Sequence, residues 1–239
     1  MSRVHSIFAI LALAMSMAGC ATVDPAPQND PYEPANRKIF AFDEGLDHHV
    51  MRPVAVFYNR AVPEFARDGV HNFLTNLNSP VVFGNDLLQG NTDRAGETLF
   101  RAFVNSTIGV AGLIDVASKW GHPGHDEDFG QTLAVWGAGE GYYLVLPLAG
   151  PSTPRDVVGI VGDQALDPFT YITFNNSTLF YMIRGGVTVL DLRARNVDTL
   201  DQIERTSVDL YATTRSLYRQ HRAAEIRNGA PDTDNLPNL

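Results

Sequence analysis

Proline and glycine punctuate the apolar segments of this chain about every 12 to 18 residues, so short helices that fold back on one another are expected. From Ala35 to Val50 the residues Ile39, Phe40, Phe42, Leu46 and Val50 recur at helical spacing, with Pro34 at the tolerated position just before them. A second helical piece runs from Val54 to Ala66, started after Pro53 and interrupted at Pro63. Val70, Phe73, Leu74 and Leu77 mark a third that Pro80 should stop, and Val81 to Leu88 resume as far as Gly90. A helix starting at Thr92 carries Leu99, Phe100, Phe103, Val104 and Ile108. Gly109 and Gly112 interrupt it, and Leu113 to Trp120 should continue it to Gly121.

Residues 121–156 change character, being rich in glycine and proline. Thr132–Trp136 and Tyr142–Leu146 flank Gly137-Ala138-Gly139-Glu140-Gly141. A hairpin is one reading, and a mobile, irregular segment is the other. The last third is the clearest helical stretch, with Val187, Leu190, Ala194, Val197, Leu200 and Ile203 on one stripe. The chain therefore reads as mainly α, built from short amphipathic helices with a Gly-rich loop or hairpin around 130–150.

The first residues form an export signal. Arg3 supplies the positive charge and Ile7 to Met17 the apolar core, which falls short of the roughly 20 residues needed to span a bilayer. Met17-Ala18-Gly19-Cys20 resembles the lipobox at which bacterial lipoproteins are cut and acylated on cysteine. Cys20 is the only cysteine, which excludes an intrachain disulfide. Several acyl chains on Cys20 would anchor the protein stably, at roughly 0.8 kcal/mol per buried CH₂. Residue 21 is Ala rather than the Asp of an inner-membrane retention signal, which favours the outer membrane. The layout is then signal peptide 1–19, lipidated flexible tether 20–34, helical domain 35–227 and a disordered polar tail 228–239.

A net charge of −9 argues against nucleic acid as a partner and against a basic patch for anionic headgroups. The chain is 44% hydrophobic and only 19% charged, lean in charge in a way that suits a surface partly in lipid. Chemistry-bearing motifs are sparse. His122-Pro-Gly-His125-Asp126-Glu127-Asp128 is the one cluster that suggests a metal, but His-x-x-His on a proline–glycine loop lacks the i, i+4 geometry of a helical zinc pair. Gly150-Pro151-Ser152 lacks the closing glycine of a nucleophile elbow. His48-His49 reads as an exposed pair at a helix end. No catalytic residue, metal ligand or cofactor is expected beyond covalent lipid on Cys20. The competing reading is a membrane-anchored phospholipase or metal-dependent hydrolase built on residues 122–128.

Several runs together resemble the VacJ/MlaA outer-membrane lipoproteins. They include Asn29-Asp30-Pro31-Tyr32-Glu33-Pro34, Arg52-Pro53-Val54-Ala55, Asn72-Phe73-Leu74 and Phe103-Val104-Asn105-Ser106-Thr107-Ile108-Gly109. Glu127-Asp128-Phe129-Gly130-Gln131-Thr132-Leu133, Gly150-Pro151-Ser152 and Asp209-Leu210-Tyr211 follow in order. The resemblance implies a helical ring lying in the periplasmic leaflet, with an amphipathic passage through it. It also implies removal of mislaid phospholipid from the outer leaflet, beside a trimeric porin, and delivery to a soluble periplasmic carrier, MlaC. Asp43 departs from the family, which commonly has Asn after each aromatic of Phe40-Ala41-Phe42.

A headgroup crossing a leaflet needs polar groups inside an apolar shell, and polar residues in a lipid setting often mark such a pathway. Asn36, Asp43, Asp47, Asn72, Asn76, Asn85 and Asn105 are candidate passage-lining residues, with helix capping or satisfied burial as the alternative. Gly137, Gly139 and Gly141 are the candidate gate, or else a rigid tight turn. Phe73, Phe83, Phe100, Phe103 and Trp120 supply bulk for an aromatic belt, or for an ordinary core.

Overall fold

A computed structural model describes residues 29–172 and 176–230. The signal segment, Cys20, most of the tether and residues 231–239 of the polar tail lie outside the described residues.

Helix α1 (Glu33–Leu46) opens with Pro34 in its first turn, where the missing N–H is an orphan anyway. It does not end before Pro53. A π-helical turn, Asp47–Met51, carries it into α2 (Arg52–Ala61), so one helical run replaces two separate pieces. The wide turn stands just before proline, where an α-helical ladder would lose a donor. The chain then breaks at Val62-Pro63.

Helix α3 (Glu64–Leu88) runs straight past Pro80, which was expected to stop it. An interior proline costs about 3 kcal/mol. Packing on several sides outweighs it, because α3 lies against α4 (Thr92–Thr107), α6 (Phe129–Val135), α7 (Pro154–Leu166) and α8 (Ser177–Arg195). Gly90 ends α3 with φ +77°, and Asn91 caps α4 by accepting from the Arg94 amide at 3.3 Å. After Thr107 the helix does not resume at length. Val110, Ala111 and Gly112 all hold positive φ, and only one turn, α5 (Val116–Lys119), follows.

In the glycine-rich region the strands lie later in the chain than the spacing suggests. Phe129–Val135 is helical, and the hairpin is formed by β1 (Leu144–Leu146) and β2 (Gly150–Ser152), paired antiparallel. Helices α6 and α7 cross very closely. A Cβ on Gly159 would stand 2.6 Å from the Gly130 amide nitrogen, and one on Gly162 would stand 2.2 Å from the Phe129 ring. A short 3₁₀ turn, Pro168–Tyr171, leads on to α8. The apolar stripe of the last third turns a corner at Asn196, dividing between α8 and α9 (Val197–Thr206). Helix α10 (Leu210–Ile226) completes the domain, capped by Asp209.

The first and last elements fasten to each other. Asn36 donates to Asp30 at 2.8 Å and to the Tyr143 carbonyl at 3.1 Å, and accepts from the Val145 amide at 3.1 Å. Arg215 of α10 donates to Asp30 at 2.8 Å, Tyr211 donates to the same carboxylate, and Arg37 forks onto Asp209. The helices therefore close into a circuit.

Burial is inverted relative to a water-soluble domain. Among the described residues, fourteen polar or charged side chains are buried against eleven apolar ones. Meanwhile Phe57, Phe65, Phe103, Met182 and Val208 are each more than two-thirds exposed. Scattered exposed hydrophobics are ordinary, but bulky ones in this number beside a polar interior are not. No helix among the described residues is long and apolar enough to cross a membrane.

Candidate functional site

Two hollows flank α8 and abut at Val189, which lines both. The first, of about 860 Å³, is bounded by α3, α4, the 115–126 loop, α7 and α8. Its wall is the more polar of the two: Asn72, Arg101, Asp115, His125, Asp126, Asp163, Asp167, Arg184 and Asp191 share it with Leu74, Val81, Val82 and Leu192. A small recess of about 40 Å³ adjoins it, sharing Arg101, Asp115 and His125, and is lined further by Asn76, Ser79 and Asn105. The second hollow, of about 790 Å³, lies between α1, the hairpin, α8, α9 and α10. Phe40, Leu46, Leu148, Leu200, Ile203 and Leu217 make most of it apolar.

The side chains of the polar hollow are held in place. Arg101 donates to Asp115 at 3.1 Å and Arg184 to Asp167 at 2.5 Å. His71 bonds Asp191 at 2.7 Å, and His125 bonds Asp86 at 3.1 Å. Burial raises the Asp115 carboxyl, yet hydrogen bonds from Ser118, Asn105 and Arg101 outweigh it and hold the pKa at about 2. Asp163 goes the other way. Burial pushes it up to about 6, against hydrogen bonds from Asn85 and the Phe129 amide.

The sequence-derived candidates divide. Asn72 lines the polar hollow, donating to the Leu113 carbonyl at 3.3 Å. Asn76 and Asn105 line the recess, where Asn105 accepts from the Val116 and Ala117 amides at 2.9 and 3.0 Å and so caps α5. Asp43 and Asp47 line the apolar hollow, Asp43 accepting from the Leu148 amide and Asp47 gripped by Arg193. Asn36 and Asn85 face neither hollow. They are 2% and 0% exposed, with partners on both amide atoms, and act as internal staples. Gly137, Gly139 and Gly141 also lie off both linings. Gly137 and Gly141 take positive φ in the turn before the hairpin. Asn29 holds the Gly141 carbonyl, and a Cβ there would press on Pro154 at 3.1 Å. Of the aromatic candidates, Phe73, Phe100, Phe103 and Trp120 are exposed, while Phe83 is half-buried.

Most of the polar wall was not singled out from sequence. A signal existed in α8, where Arg184, Thr188, Asp191 and Arg195 recur at spacings of four, three and four, on the face beside the apolar stripe.

The 122–128 cluster does not converge on a metal. His122 faces Glu97, His125 faces Asp86, Glu127 accepts from Gln89 and Arg94, and Asp128 accepts from Arg222. Glu44, His48 and Glu204 do bring donor atoms within 4.8 Å of one another at the rim of the apolar hollow. Ser152 is buried, its hydroxyl turned to the Thr153 carbonyl.

A family model described as MlaA lipoprotein matches residues 28–225. A Haemophilus influenzae protein named intermembrane phospholipid transport system lipoprotein MlaA is 31% identical over 95% of this chain and 92% of its own. The Escherichia coli K12 protein of the same name is 35% identical over 92% of this chain and 88% of its own. An uncharacterized Rickettsia bellii protein is 37% identical over 83% of this chain and 77% of its own. A solved structure described as the structural basis for maintenance of bacterial outer membrane lipid asymmetry superposes with TM-score 0.74 at 33% identity. It covers 82% of this chain and 98% of the other.

Proposed function

The chain belongs to the MlaA lipoprotein family, and from that premise we propose that it is a passive, non-catalytic conduit for phospholipid. Acyl chains on Cys20 hold it at the periplasmic face of the outer membrane. There it takes up phospholipid mislaid in the outer leaflet and passes it to a soluble periplasmic carrier, MlaC, keeping the two leaflets different in composition. A trimeric porin is its companion in the membrane.

One observation carries this reading: a large polar hollow enclosed by helices whose outer faces are greasy. An unpaired polar group in hydrocarbon costs several kcal/mol, so a headgroup crosses a leaflet only along polar walls. The hollow supplies such walls, and the apolar hollow across α8 offers tails a surface of Phe40, Leu200, Ile203 and Leu217. Phe57, Phe65, Phe103 and Met182 outside suit burial among acyl chains. The sequence carries no nucleotide-binding motif, so any direction of flow comes from a lipid gradient or from other components.

Two experiments test this. Deleting the gene should make cells leak and display phospholipid on their surface, and an unchanged surface composition would overturn the proposal. In purified form, the protein should hand fluorescent phospholipid from vesicles to the soluble carrier without freeing fatty acid, with or without divalent metal. Release of fatty acid would instead revive the hydrolase reading.

A further inference from the structure

The polar hollow has an uneven charge account. Each arginine and histidine on its wall already faces an acidic partner: Arg101 with Asp115, Arg184 with Asp167, His71 with Asp191 and His125 with Asp86. Two carboxylates remain. Asp126 is exposed within the hollow and has no hydrogen bond or ion pair among the described residues. Asp163 accepts from Asn85 and from the Phe129 amide, each at 2.9 Å, but makes no salt bridge. The adjoining recess holds another acceptor, Asn76 Oδ1, which is buried and receives no donor. The wall is therefore short of cations and oversupplied with acceptors.

An anionic headgroup entering this hollow meets no unengaged cation and is repelled by the surplus carboxylates. A headgroup that carries its own ammonium group brings the missing charge and the missing N–H donors. We propose that the polar hollow, through Asp126 and Asp163, selects phospholipids bearing a headgroup ammonium, such as phosphatidylethanolamine, over net-anionic ones such as phosphatidylglycerol. This inference rests on the conduit reading and goes further by naming the lipid class. Asp163 also stays partly protonatable near pH 6, because burial disfavours its charge. A cation beside it would hold it ionised.

The test uses the full-length lipidated protein, incubated with vesicles of equal phosphatidylethanolamine and phosphatidylglycerol, reisolated, and its retained lipid identified by mass spectrometry. The wild type should hold several-fold more of the ethanolamine lipid. Asp126→Lys, a change at an exposed position that leaves the helices untouched, should bring that ratio close to one. Asp126→Asn should fall between. Lipid clinging to the outer surface is common to all three proteins, so the difference between them reports the hollow. A wild-type ratio near one, or one favouring phosphatidylglycerol, would overturn the selectivity. So would a ratio that Asp126→Lys leaves unchanged. Failure of the wild type to retain any lipid would overturn the conduit reading along with it.

Discussion

Two parts of this molecule use glycine for opposite ends. Where α6, α7 and α10 meet, Gly159 lets two backbones touch, while Gly130 and Gly162 leave room only for the Asp156, Arg222 and Phe129 side chains that press on them. Arg222 completes that junction by gripping Asp128 through two nitrogens at 2.6 and 3.0 Å and Asp156 at 2.9 Å. Across the polar hollow, Gly185 and Gly186 sit mid-way along α8 with nothing within 4 Å of where a Cβ would be. The junction is locked. The wall between the hollows is a helix that packs elsewhere but carries, at its middle, two residues of poor helix propensity with open space beside them. A conduit needs both: a frame that keeps its shape and one partition able to yield as a lipid moves past it.

Removing the lock should have the largest effect. Arg222→Met strands Asp128 and Asp156 without their cation and should cost about 3 kcal/mol or more, read as a lower urea midpoint. An unchanged midpoint would mean the junction is held by packing alone. The glycines give a matched pair. Gly162→Ala drives a methyl into Phe129 and should destabilise by about 2 kcal/mol. Gly185→Ala, the same substitution into open space, should stabilise by about 0.5–1 kcal/mol. Equal signs in the two melting curves would erase the contrast. If the α8 partition yields during transport, Gly185→Ala combined with Gly186→Ala should also slow lipid handover while raising stability.

Acidity offers a test of another kind, read along the pH axis. The Asp163 pKa is raised to about 6 in the fold, so the neutral carboxyl is the favoured form there. Its contribution to stability is full below its unfolded value near 4 and is lost as pH rises through about 6. Asp115, held at about 2, behaves oppositely, contributing above about 4 and failing as pH falls toward 2. Asp163→Asn should flatten stability between pH 4 and 6 and leave the more acidic limb as it was. A profile unchanged by that substitution would show that another group titrates in the window.

Much of this organisation was legible in the residues. Helical spacing located most helices, Gly90 and Pro63 ended them as expected, and the ordered motifs carried the family resemblance. Pro80 misled because a local cost of about 3 kcal/mol is visible in sequence, whereas the packing of α3 that outweighs it comes from partners far along the chain. Helix α6 was hidden for a similar reason. Its seven residues are fixed by the Asp128 cap and by Gly159 and Gly162, which the chain reaches only later. Of the candidate lining residues, Asn36 and Asn85 resembled the others in sequence and differ only in what surrounds them. Periodicity reports which face a residue takes, and never whether that face meets another helix or an open space.

The clamp on Asp30 by Arg215 and Tyr211 has a consequence for how the molecule hangs. Cys20 precedes Asn29, the first described residue, by nine positions, a leash of about 30 Å at full stretch. On the proposed acylation of Cys20, the seam between the first and last helices would be held within that radius of the bilayer. On that proposal, so short a mooring would leave the protein little freedom to drift from the membrane, and a soluble carrier would do the travelling.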